Sequence, residues 1–172
     1  MPFERGQTAI VVAVPEAEPV VDRWRQRYDS SAALGVPAHV TILYPFLHAE
    51  LVDDAVLARL RRLFAAAPAF ELELRRCGRF PDALYLEPEP ADIFRDLTVS
   101  VFAQWPETPP YCGMFDTVIP HLTVAQGVDE ETFTVISRDV SRGLPVLARV
   151  TEAVLLVCDG GRWERHTGLP FG

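Results

Sequence analysis

"PAHVTILYPF" (residues 37–46) places a histidine and a threonine two positions apart in a run of strand formers, and "IPHLTVAQG" (119–127) repeats the arrangement 82 residues later. Side chains alternate along a strand, so His39 and Thr41 share one face while Val40 and Ile42 take the other. The same holds for His121 and Thr123 against Leu122 and Val124. Each strand thus offers an apolar face to a core and an imidazole plus hydroxyl to the opposite side. Composition alone predicts roughly 0.2 such His-x-Thr pairs in the chain. Two occur, both just after a proline. A lone pair of this kind is usually a hydrogen-bonded structural feature; two in matching contexts point to one shared site.

Outward from these strands, "TAIVVAV" (8–14) reads as a strand ending at Pro15. "PVVDRWRQRY" (19–28) puts Val20, Val21, Trp24 and Tyr28 at helical spacing. A second helix is predicted over 52–66, with Val56, Leu60, Leu63 and Phe64 on one face. A hairpin joins 70–77 to 83–88, a third helix covers 91–105, and a proline-rich loop follows over 106–116. A fourth helix spans 130–142. The chain closes with "RVTEAVLLVC" as one strand, a "DGG" turn (159–161), and "RWERHTGL" returning. The order β-α-β-α-β-β-α-β-α-β-β predicts an α+β fold with mixed, mostly antiparallel sheets, a single domain over 1–172.

The 172 residues are 49% hydrophobic, enough for a core without metals or disulfides. Three widely spaced cysteines, Cys77, Cys112 and Cys158, form no C-x-x-C pair and read as thiols in a reducing compartment. No apolar run reaches the length of a membrane span and the N-terminus lacks a signal pattern, so a cytoplasmic monomer away from membranes is expected. The net charge of -8 argues against binding a long nucleic-acid duplex. The "RLRR" cluster at 59–62 belongs on the solvated face of a helix. All sixteen basic residues are arginine, which excludes Schiff-base, lysyl-nucleotide and Walker A chemistry.

"HVTI" and "HLTV" resemble the paired motifs of the two-histidine (2H) phosphoesterase superfamily. The wider frames "AHVTILYPF" and "PHLTVAQG" are similar to its 2′-5′ RNA ligase-like branch, alongside the 2′,3′-cyclic nucleotide phosphodiesterases. The resemblance implies two pseudosymmetric lobes around a central cleft, each contributing one histidine to a single phosphate. It implies hydrolysis of 2′,3′-cyclic phosphate or 2′-5′ phosphodiester bonds in small nucleotides or at RNA 3′ ends.

The residue types suit that chemistry. One imidazole can deprotonate the attacking water and the other protonate the leaving ribose oxygen, while Thr41 and Thr123 hydrogen-bond the phosphoryl oxygens. No third ligand stands at a metal-site spacing to either motif, so neither metal nor other cofactor is required. Asp116 is read as bracing its loop, and His48 and His166 as surface residues. Tyr85, opposite in phase to Leu84 and Leu86, is a candidate to stack on a base. Tyr44, in phase with Val40 and Ile42, is read as core, and Arg162 and Trp163 as parts of a structural hairpin. Two other functions remain open from the residues: a binding module that does not turn its nucleotide over, and a hydrolase using the histidines as metal ligands.

Overall fold

The computed structural model describes residues 3–172. In chain order its main elements are β1 (Thr8–Ala13), α1 (Glu18–Tyr28), the short α2 (Ser30–Ala33), β2 (His39–Leu43), α3 (Asp54–Ala65), β3 (Phe70–Phe80), β4 (Ala83–Glu89), α4 (Ala91–Gln104), β5 (Leu122–Gln126), α5 (Glu130–Ser141), β6 (Val146–Val150), β7 (Glu152–Cys158) and β8 (Trp163–Pro170). The strands form two four-stranded sheets, ordered β2-β1-β7-β8 and β5-β4-β3-β6. Every pairing among the described residues is antiparallel. The α+β class is as read from the sequence, although no parallel pair makes the sheets mixed.

The two histidine-bearing segments lie on edge strands, one per sheet, and β2 approaches β5 where the sheets meet. A crossing of helices fixes this meeting. α1, which precedes β2 in the chain, packs against β5; α4, which precedes β5, packs against β2. Thr98 on α4 donates its hydroxyl hydrogen to the Ile42 carbonyl at 2.7 Å, tying helix to strand. The halves therefore share one core, in which Val21, Val40, Ile42, Phe94, Leu122 and Val124 are fully buried. Burying a side chain of this size contributes about 1.5–3 kcal/mol, so neither histidine strand is held by its own half alone.

The segment predicted as one closing strand is two. "VLARV" alternates and ends sheet two as β6; after Thr151 the chain crosses to sheet one as β7, where Ala153 to Leu156 are buried on both faces. A change from alternating to continuous apolar character marks the crossing. Strand β3 also runs past the predicted residue 77, to Phe80, by inserting an extra residue between Leu74 and Cys77 relative to β4. Gly78 is needed there because the ring of Tyr85 lies across it where a Cβ would sit.

Candidate active site

Both histidines are oriented by the same backbone device. His39 Nδ1 is 2.8 Å from the Pro37 carbonyl oxygen, and His121 Nδ1 is 2.7 Å from that of Ile119. A carbonyl can only accept, so Nδ1 carries hydrogen in each ring and Nε2 is the nitrogen left for chemistry. His39 is the first residue of β2; His121 directly precedes β5 and follows Pro120. Both imidazoles line one cavity of about 200 Å³ together with Thr41 and Thr123.

A second shared device follows each threonine. Ile10 pairs with Leu43 but Val11 with Thr41, which leaves Ile42 as an extra residue in β2. Leu84 pairs with Ala125 but Tyr85 with Thr123, which leaves Val124 as the extra residue in β5. Each bulge lets two consecutive apolar residues, Ile42–Leu43 and Val124–Ala125, face the core. It also shifts the following residue into the cavity. Tyr44 and Gln126 consequently line it, five positions after their histidines. Tyr44 is thus a cleft residue and not the core residue that strict alternation predicts. The doubled apolar pair after each threonine is the available signal.

The surroundings of the two rings differ. Near His39 is the buried guanidinium of Arg25, 1% exposed, whose Nε donates to Asp29 Oδ2 at 3.1 Å and whose Nη2 donates to the Val36 carbonyl at 3.1 Å. Asp29, 6% exposed, also accepts from the Ser31 hydroxyl at 2.8 Å and lines the cavity with Ser30 and Ser31. Burial pushes the His39 imidazole down to about 4; the Pro37 carbonyl opposes this, Arg25 adds to it, Asp29 opposes it and His121 adds to it. His121 is instead packed edge-on against Phe80 and Tyr85, with ring centroids 5.1 and 5.7 Å away. Burial lowers its pKa as well, with the Ile119 carbonyl opposing.

Tyr85 lies beside Thr123 in the register, on the cleft face as predicted. Its ring is stacked under Phe80 at 4.3 Å, leaving Tyr85 only 7% exposed. The ring that lines a cavity here is that of Phe80. Three further cavity residues have no such role in the sequence reading. Trp163, read as part of a plain hairpin, forms the cavity wall with Tyr44 and Phe3; its buried indole N–H has no hydrogen-bond partner among the described residues. Tyr111 is held by a backbone bond to the Tyr44 carbonyl at 2.7 Å and by a left-handed φ of 51°. Burial raises its hydroxyl pKa, offset in part by a hydrogen bond with Thr41. Gln126, with Tyr111, joins this cavity to its neighbour.

His48 and His166 are exposed, away from the cavity, as is Asp116 in its loop. Among the described residues no three His, Cys, Asp or Glu side chains gather in a group able to hold a metal ion. No described helix is long and apolar enough to cross a membrane.

Residues 13–162 match the profile of a family described as the 2′-5′ RNA ligase superfamily. Among curated relatives, a Geobacillus kaustophilus protein named "Putative phosphoesterase GK0864" is 29% identical over 125 residues, covering 68% of this chain and 67% of that protein. A Bacillus pumilus protein of similar name is 28% identical over 65% of this chain and 64% of its own length. The matches thus span about two thirds of these relatives. Among solved structures, TT0787 of Thermus thermophilus superposes with a TM-score of 0.62 at 19% identity, over 95% of this chain and 97% of that one. E. coli LigT complexed with NADP+ gives 0.59 at 19% identity, over 98% and 99%. These two likenesses concern the fold.

Proposed function

The chain belongs to the 2′-5′ RNA ligase superfamily, and on that premise we propose that it is a metal-independent phosphodiesterase, cleaving 2′,3′-cyclic phosphate or 2′-5′ phosphodiester bonds by paired-histidine acid–base catalysis. The observation that carries this reading is the symmetry of the histidines: each Nδ1 is fixed on the carbonyl two residues back, and both rings border one cavity. That arrangement suits a phosphorus atom held between two Nε2 atoms.

His39, the more strongly depressed of the two, is the group to begin neutral and take the proton of the attacking water through Nε2. His121, as imidazolium, gives its Nε2 proton to the ribose oxygen as the P–O bond breaks. The Thr41 and Thr123 hydroxyls donate to the non-bridging oxygens as charge builds on them. A bound phosphodiester anion opposes the effect of burial on both rings and so holds the one proton that the step requires. The reverse reaction exchanges the two roles and joins ends without a lysyl intermediate.

The test is hydrolysis of a panel of 2′,3′-cyclic nucleotides and 2′-5′ dinucleotides in EDTA by the wild type, His39→Ala and His121→Ala. The proposal requires turnover that survives chelation and collapses in both variants. Turnover that EDTA abolishes would make the histidines metal ligands. Binding without turnover across the panel would make the cleft a binding module.

A further inference from the structure

The cleft extends beyond the histidines. A second cavity of about 670 Å³ shares Tyr111, His121, Thr123 and Gln126 with the first and is walled by Phe80, Phe115, Val118 and Ile119. This size is within the ~300–1,000 Å³ of small-molecule pockets. The floor of the first cavity is also apolar, with Ala9, Val11, Leu156 and Trp163 from sheet one.

Charge sets the other boundary. Among the described residues, no arginine lines either cavity, and the side chains there that are charged at neutral pH are Asp29 and Asp82. Arg25 behind the wall is committed to Asp29. An adjoining hollow beyond the 109–118 loop contains Arg95, which is held by Asp92 at 2.8 Å, and Asp116. The remaining donors around the phosphate position are neutral: the hydroxyls of Thr41, Thr123 and Tyr111, and the unpartnered indole N–H of Trp163. An RNA strand brings one anionic phosphate per nucleotide and binds through cations that replace its counterions. A cleft of this composition offers one site for negative charge, between the histidines, and a dry flank for a planar group.

We infer that the site takes a small phosphodiester with a single negative charge and one planar aromatic substituent, such as a mononucleoside cyclic phosphate, and does not track a polynucleotide strand. This rests on the phosphodiester reading of the same cleft and narrows its substrate. The phosphate lies between His39 and His121, and the ring system enters the second cavity against Phe80, whose other face is backed by Tyr85.

Binding separates this inference from catalysis. Calorimetric Kd values are measured for adenosine 2′,3′-cyclic phosphorothioate, a slowly cleaved diester with one negative charge, and for tri- and hexanucleotides ending in the same cyclic group, with turnover of the matching cyclic phosphates followed in parallel. The expected result is affinity for the mononucleotide within about threefold of, or better than, the oligonucleotides, and nearly flat from about 50 to 300 mM salt. Phe80→Ala should weaken the mononucleotide about tenfold more than it weakens dimethyl phosphate, a base-free diester with one negative charge. Phe115→Ala, at an exposed loop position, gives a second reading of the same wall that does not disturb the core. Affinity that climbs with length and falls steeply with salt would overturn the inference even where turnover is robust, and so would failure to bind any of these ligands. Length-independent binding without turnover would uphold it and retire the phosphodiesterase reading.

Discussion

Behind His39 stands a buried ion pair, Arg25 with Asp29, satisfied by a hydroxyl and a carbonyl; behind His121 stand the stacked rings of Phe80 and Tyr85. The backbone in the two places is nearly the same. Each histidine is pinned by the carbonyl two residues earlier, each threonine shares its face, and each strand bulges at the next residue. The duplicated backbone brings two imidazoles to one place; burial lowers both, and at His39, which falls to about 4, charged neighbours act as well. The larger depression of His39 is the difference that an acid–base pair can use. Aromatic rings act on His121 chiefly by excluding water, whereas the ion pair near His39 adds charges that single substitutions can remove.

The largest test of that difference is the histidines themselves. His39→Ala and His121→Ala should each lower kcat by about 10²–10⁴-fold, yet with opposite effects on the pH profile. In the wild type both imidazoles are depressed below 6.5, so kcat/KM, which reports the free enzyme, should peak on the acid side of that value and decline toward pH 8 as the protonated His121 disappears. If His39 is the base, its removal erases the acid limb; if His121 is the acid, its removal erases the alkaline limb. Residual activities that lose the same limb in both variants would break the assignment, and an optimum near pH 8 would break the account of the environments.

Much of this is legible in the sequence because it depends on period and residue type. The face shared by His39 and Thr41, and by His121 and Thr123, follows from alternation, and alternation holds over those three residues. It fails at the next step, which is why alternation puts Tyr44 in the core and gives no reason to single out Gln126. A bulge is a property of the pairing between two strands, here β2 with β1 and β5 with β4, and one strand's pattern shows it only as a doubled apolar pair. Trp163 and Tyr111 are hidden for another reason: they reach the cleft from a closing hairpin and a loop, and only the folded chain brings both against Tyr44. Tyr85 falls on the expected face, but Phe80, an end-of-strand residue, covers it.

The ion pair supplies the next test. Arg25→Met leaves Asp29 buried without its partner and should destabilise the protein by about 3–5 kcal/mol. Arg25→Met with Asp29→Leu should recover a large part of that. In the single variant the His39 imidazole should titrate higher by NMR, because a repelling cation is gone and Asp29 is unneutralised. Phe80→Leu, altering only the other half, should leave the His39 titration in place. The wild-type stability carries a related signature. The native state holds His39 neutral until about pH 4, while the unfolded chain takes up that proton near 6.5. Stability therefore falls as pH drops from 6.5 toward 4, and His39→Gln should flatten this part of the denaturation curve. A His39 resonance that ignores Arg25→Met would show the ion pair to be a structural brace alone.

The smallest effects belong to the residues that the bulges deliver, and they discriminate most finely. Tyr44 and Gln126 occupy equivalent positions but not equivalent chemistry. Tyr44 packs edge-on to Phe3 and Trp163, and its hydroxyl donates to Gln7 Oε1 at 3.3 Å. Tyr44→Phe keeps the packing and gives up one long hydrogen bond, so kcat/KM should change by no more than about tenfold. Gln126 borders both cavities with His121 and has a neutral amide where a carboxylate would fit. Gln126→Glu should raise the His121 pKa and move the kcat/KM optimum toward neutrality, while raising KM several-fold, since a second anion faces the phosphodiester. The His39 titration should respond less, for its local field is set by Arg25 and Asp29. Equal displacement of both imidazoles would mean that they titrate as one unit and that their differing surroundings do not divide the work between them.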